Sequence, residues 1–147
     1  MARSMFTGYA DIEAHEGMSW TIDAAINDAA IAAFSRYLAV RYPSHGRASE
    51  FAANATWFTA RAARFALMFD EETGFFRGRD RSGRWRPGAF DPRDWGTDYT
   101  ETNAWGTRFT APQDGQGLAE LYGGRAALEE RLDAFMALPE TGRPEFM

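Results

Sequence analysis

The chain has 147 residues, 45% of them hydrophobic, which is the size of one ordinary domain able to bury a core of its own. Its formal charge of -5 and pI near 5.0 argue against a general nucleic-acid or anionic-membrane partner, since both need a net or clustered positive field. With no cysteine in the sequence, disulfides, thiolate nucleophiles and cysteine-based zinc sites are excluded.

The opening "MARSMFTGYADI" lacks the apolar run of a signal peptide, and no stretch approaches the roughly 20 apolar residues of a membrane span. A first helix is expected from Ser19 to about Val40, with Ser19 or Thr21 as cap, alanine at many positions, and Ile31, Phe34 and Leu38 at helical spacing. Within it Asp23 and Asn27 share one face, where the pattern favours exposure. Pro43, Ser44 and Gly46 then make a turn. Ser49 is the expected cap of a second helix whose stripe is Phe51, Ala55, Phe58, Ala62, Phe65 and Phe69, and the two helices should pack as an antiparallel hairpin.

Between Asp70 and Asp98 the periodicity disappears into a long loop rich in Gly, Pro and Arg, with a short hairpin turn expected at Ser82 and Gly83. A structureless loop of that length is uncommon in a compact domain unless it has a task. Helix is expected again near Glu101, breaks at Pro112, restarts through "PQDGQGLAELY" and stops at Gly123 and Gly124, which suit a left-handed C-cap. A last amphipathic helix, about Arg125 to Leu138, carries Leu128, Leu132 and Phe135 on one face, and "PETGRPEFM" reads as an irregular end. The fold class is therefore mainly α with one irregular insert.

Arg77, Arg79, Arg81, Arg84 and Arg86 lie beside Phe75, Phe76 and Trp85, a mixture that can bind a nucleic-acid backbone with stacked bases. Acids from Asp70 to Asp98 interrupt the cluster, so internal ion pairs are the favoured reading; Arg77 and Arg79 can equally hold a sugar hydroxyl or brace those acids. His15 and His45 have no second histidine or carboxylate at metal spacing, and read as surface residues. Glu101, in "YTETNAWG", has two readings. It is a helix-starting charge stabilised by the dipole, or a proton donor kept protonated by apolar walls from Trp95, Tyr99 and Trp105.

An ordered series of motifs decides between them. "SWTIDAAINDAAIA", "FDEETGFFRGRDRSGRW", "FDP", "YTETNAWG", "APQDGQGLAELYGG" and "LDAFM" resemble, in family order, the calcium-dependent alpha-mannosidases of glycoside hydrolase family 92. The resemblance implies that residues 1–147 are part of an (α/α)6 toroid built from helical hairpins, an incomplete catalytic domain that is inactive alone. It implies hydrolysis of alpha-mannosidic bonds with inversion, Glu101 as general acid, and a substrate shell including Asn103, Trp105, Asp114, Arg77 and Arg79. The expected ligand is a mannose-containing glycan. Calcium is implied for the complete domain, with no metal ligand assignable in this chain, and many members are secreted or periplasmic. Departures are Asp23 for the usual Glu, Asn27 for an expected Asp, Thr102 for Gly, and Gln113 for the His of a His-Asp pair ending in Asp114. The alternative is a non-enzymatic helical module that binds carbohydrate or docks with a partner carrying the remainder of the catalytic domain.

Overall fold

The structure, a computed structural model, describes residues 4–139. Except for Pro139, the C-terminal "PETGRPEFM" stretch lies outside the described residues. Helix predominates: α1 (Ser4–Thr7), α2 (Gly17–Arg41), α3 (Ala48–Ala62), a 3-10 turn (Ala63–Met68), then α4 (Ala104–Thr107), α5 (Gly115–Leu121) and α6 (Arg125–Met136). No helix among the described residues is long and apolar enough to cross a membrane.

The first long helix begins two residues before Ser19 and is not capped by it. Thr21 sits one turn into the helix, donating to the Gly17 carbonyl (2.8 Å) and accepting from the Ala10 amide (2.9 Å). Likewise α3 starts at Ala48, so Ser49 lies within the helix. The antiparallel hairpin is present: Asp28 of α2 pairs with Arg61 of α3 at 2.9 Å, and farther up α2 Arg36 reaches back to the earlier Thr59 at 3.2 Å. Small side chains make the contact. Ala25, Ala32 and Ser35 of α2 and Ala55 and Ala62 of α3 are buried, which lets the two backbones approach closely.

Of the apolar residues at helical spacing on α2, Leu38 is half-buried and the other two are not. Ile31 and Phe34 are 42% and 61% exposed, and Trp20 and Tyr37 are exposed as well. Asp23 and Asn27 are exposed as expected. The alanine content leaves no single apolar face, so periodicity could not tell which side carried the packing. The second stripe also runs past its helix: α3 ends at Ala62, Phe65 falls in the 3-10 turn, and Phe69 opens strand β1 (Phe69–Asp70). Strand β2 (Phe75–Phe76) pairs with it antiparallel, Phe69 opposite Phe76 and Asp70 opposite Phe75. A spacing of four kept these phenylalanines facing the core while the backbone changed class.

That core is set where the hairpin's base meets the strands. Met18, Ile22, Phe65, Met68 and Phe76 are fully buried, each contributing about 1.5–3 kcal/mol relative to exposure. Edge-to-face pairs bind it together, Phe69 against Phe76 at 5.4 Å, Phe69 against Tyr122 at 5.0 Å and Phe75 against Trp105 at 4.9 Å. The turn at Ser82 and Gly83 forms as expected, bracketed by an antiparallel bridge between Arg79 and Trp85. Gly83 holds φ 86°, a conformation that favours glycine. Farther on, Gly123 and Gly124 take positive φ after α5, as a left-handed stop requires.

Candidate active site

The segment carrying Glu101 is not helical, contrary to expectation; helix resumes only at Ala104. Glu101 instead has left-handed backbone at φ 50° and is exposed. The dipole reading therefore fails for geometric reasons, and two of the three expected apolar walls are engaged elsewhere. Tyr99 is buried with its hydroxyl donating to the Phe76 carbonyl at 2.8 Å, while Trp105 packs between Phe75 and Phe135. Burial raises the Tyr99 phenol well above its ordinary range, with the Asp98 charge adding to the effect.

Several bonds hold this turn against the start of α2. The Thr100 amide donates to Ser19 Oγ (3.0 Å), the Thr100 hydroxyl to Glu16 Oε2 (2.7 Å), the Ser19 amide to the Asp98 carbonyl (3.2 Å) and the Glu16 amide to the Thr97 carbonyl (3.2 Å). Glu16 and Thr97 have φ of 57° and 63°. With Glu101 they are the left-handed residues other than glycine among those described, and all three meet at this junction. Each costs about 1–3 kcal/mol and persists only where the surroundings impose it.

Asp98 links the same loop to the arginine-bearing hairpin. Its buried carboxylate takes Arg86 in a two-pronged pair, 2.6 Å to Nη2 and 2.9 Å to Nε, and accepts the Gly78 amide at 3.1 Å. A Cβ at Gly78 would overlap that carboxylate, so glycine is required by space alone. The Asp98 carboxylate raises the Arg86 guanidinium. Nearby, Asp80 is held down to about 2, first by the Ser82 hydroxyl and then by bonds from Arg84 and the Ser82 amide, which offset its desolvation.

The remaining expected substrate-shell residues have internal partners. Arg77 pairs with the buried Asp70 at 2.5 Å and lies over the Phe90 ring at 4.5 Å. Arg79 stacks on Trp85 at 3.7 Å, with its Nε buried and unbonded among the described residues. Asn103 caps α4 by accepting the Gly106 amide at 3.1 Å, and Asp114 caps α5 by accepting the Gly117 amide at 2.8 Å. The arginine cluster is thus largely spent on Asp70, Asp80, Asp98 and, through Arg81, on Asp11 and Glu13, as the ion-pair reading expected. His15 and His45 lie at the surface.

Sequence reasoning missed Glu16, Thr100 and Arg108. Arg108 is 4% exposed and sits over Phe75 (4.3 Å) and Trp105 (4.9 Å) while its Nε donates to the Tyr122 hydroxyl (3.2 Å). No carboxylate pairs with it among the described residues. Trp105 and Phe109 flank Arg108 in sequence, but Phe75 and Tyr122, which complete the cage, are distant, so the local pattern does not mark it.

The same fold occurs in glycoside hydrolases. It matches the family GH92 inverting mannosidase BT2199 of Bacteroides thetaiotaomicron VPI-5482 with TM-score 0.81 and 27% identity over 96% of this chain and 18% of that one. The family GH92 alpha-mannosidase BT3965 of Bacteroides thetaiotaomicron matches with TM-score 0.79 and 29% identity over 97% of this chain and 17% of that one. The BT3965 complex with mannoimidazole agrees in fold at 24% identity and TM-score 0.76, covering 97% of this chain and 18% of that one. The chain belongs to glycosyl hydrolase family 92: the catalytic-domain profile of that family matches residues 1–145. It spans under a fifth of the length of these solved relatives. No curated protein matches it significantly in sequence.

Proposed function

We propose that this chain carries the general-acid turn of a centre that hydrolyses alpha-mannosidic bonds in mannose-containing glycans. Membership of the family is the observation that carries the reading. The mannosidases it resembles at 27% and 29% identity support the substrate class, and one of them is an inverting enzyme. Glu101 is the acid: its exposed carboxyl, on a strained and braced turn, is free to reach a glycosidic oxygen. Inversion requires a second carboxylate about 6.5–9.5 Å away to activate water on the opposite face of the sugar. That base comes from outside these residues. The chain is then part of a larger helical catalytic domain, an (α/α)6 toroid, and the apolar outer face of α2 meets the remainder of it. A helix apolar on both sides is a buried helix.

Trp105, Asn103 and Asp114 shape the turn and its flanks from within, while Arg77 and Arg79 stiffen the adjoining hairpin. Calcium, implied for the complete domain, does not fit here: among the described residues no three acids or histidines converge, and Asp70, Asp80 and Asp98 are committed to Arg77, Ser82 and Arg86.

Two assays test this. Purified chain should release no mannose from an alpha-linked mannobiose; release that disappears in Glu101→Gln would overturn the incompleteness reading. Exchanged for the matching segment of the BT3965 mannosidase, the chain should support hydrolysis, and Glu101→Gln should then lower kcat by about 10²–10⁴-fold. An unchanged kcat would overturn the acid assignment. The outward face of α2 favours one second reading, a partner-docking module without catalysis, for which a stable complex and no hydrolysis in the chimaera are the signature.

A further inference from the structure

The residue at the N-cap of α2 is a poor choice for capping. Glu16 has left-handed backbone and its side chain makes no bond to its own helix, where Ser, Thr, Asp or Asn would satisfy an orphan amide. Its carboxylate, 18% exposed, turns instead to Thr100, whose hydroxyl donates to Oε2 at 2.7 Å. Thr100 is the residue immediately before Glu101. Its amide is also held, by Ser19 Oγ at 3.0 Å.

On the other side of the acid, the Thr102 carbonyl accepts the Gly96 amide at 3.0 Å. The backbone of Glu101 is thus gripped from both sides, while its own carboxylate makes no hydrogen bond or ion pair among the described residues. A left-handed residue other than glycine returns to right-handed or extended backbone once its neighbours release it, and that rotation swings its Cβ in a different direction. The direction in which the Glu101 carboxyl points is therefore decided by contacts that Glu101 does not make.

Resting on the general-acid reading above, we infer that Glu16 and Thr100 are positioning residues for Glu101: the hydroxyl–carboxylate bond between them locks the turn that aims the acid. The side chains do this work across the junction, and Glu16 gives up a helix cap to do it.

NMR of the full chain tests the lock without recourse to catalysis. The intraresidue contact between amide proton and Hα is short only at positive φ, so Glu101 should show a strong intraresidue nuclear Overhauser effect. Thr100→Val, which keeps the shape and removes the donor, should lose that signal, as should Glu16→Ala. Thr100→Ser and Glu16→Gln, which keep a donor and an acceptor, should retain it, and the Phe76 resonances should be unchanged in all four. A signal that survives both Thr100→Val and Glu16→Ala overturns the inference, and so does a loss in all four variants, which would report general loosening. Should Thr100→Val fail to fold, Glu16→Ala and Glu16→Gln make the same comparison. The two readings fail separately: an unchanged kcat in Glu101→Gln removes the acid and leaves the lock, whereas a Glu101 indifferent to Thr100 and Glu16 removes the lock and leaves the acid.

Discussion

Replacing Asp98 by Asn keeps the side chain's shape and removes its charge at a point where three donors converge. Oδ2 accepts both the Arg86 Nε and the Gly78 amide, and Oδ1 accepts the Arg86 Nη2. The least damaging amide orientation keeps oxygen at the Oδ2 position and points its NH₂ at Nη2, donor against donor. One charge-assisted bond is lost, at about 1.5–3 kcal/mol, and the other two weaken. Breaking a fully buried pair costs about 3–5 kcal/mol, but the Arg86 side chain is 30% exposed and water can take over part of its solvation. The expected loss is about 2–3 kcal/mol, a fall in Tm of roughly 5–10 °C for a chain of this size. Urea unfolding followed by tryptophan fluorescence and circular dichroism measures it. The Arg86→Met and double variants complete a cycle whose coupling should reach about 1 kcal/mol or more. An Asp98→Asn protein within about 0.5 kcal/mol of the original, or a coupling near zero, would refute the reasoning.

Glu101→Gly should stabilise the fold by up to about 1 kcal/mol, since glycine accepts φ near 50° without strain; chemical denaturation showing a loss would mean the turn is not strained. Tyr99 and Tyr122 are both raised, chiefly by burial, so they hold their protons more tightly folded than unfolded. Their stabilisation is complete below about pH 10 and declines as pH rises beyond it, which absorbance titration should register as two late phenols and a cooperative alkaline unfolding. Asp80 runs the other way: its contribution is present above the ordinary carboxylate range near about 4 and is lost as pH falls toward its depressed value of about 2. Ser82→Ala should move its carboxyl titration back up, measured by NMR. Arg108→Met removes the main cation that opposes burial at Tyr122, leaving Arg131, so that phenol should ionise later still.

Element existence was legible wherever local chemistry decides it. The alanine-rich stretch from Ala24 to Ala33 marks a helix under any packing, and Gly123 with Gly124 marks the stop of α5. The facing of α2 was not legible, because Ile31 and Phe34 look like a core stripe until Ala25, Ala32 and Ser35 are seen to give the closer approach. The end of α3 was hidden for a related reason: Phe65 and Phe69 continue the spacing of four after the helix has given way to the 3-10 turn and β1. At the site, Glu101 stood out through its ordered neighbours, and Asn103 and Asp114 were of the right residue types for the caps they form. Which arginine meets which acid was open, since Arg86 and Asp98 lie in a stretch, residues 70–98, with six arginines and seven acids, and only the close approach of Gly78 selects them. Glu16 carried no signal at all, being 84 positions from the threonine it serves.

That separation sets the order in which the molecule assembles. The α2–α3 hairpin and the Ser82 turn close over short stretches of chain and can form early, whereas the bonds from Thr100 to Ser19 and Glu16 span 81 and 84 positions and must wait for the intervening chain to settle. The turn that presents Glu101 is accordingly among the last parts to be completed and among the first to open, so its amides should exchange with solvent well ahead of those at Phe76.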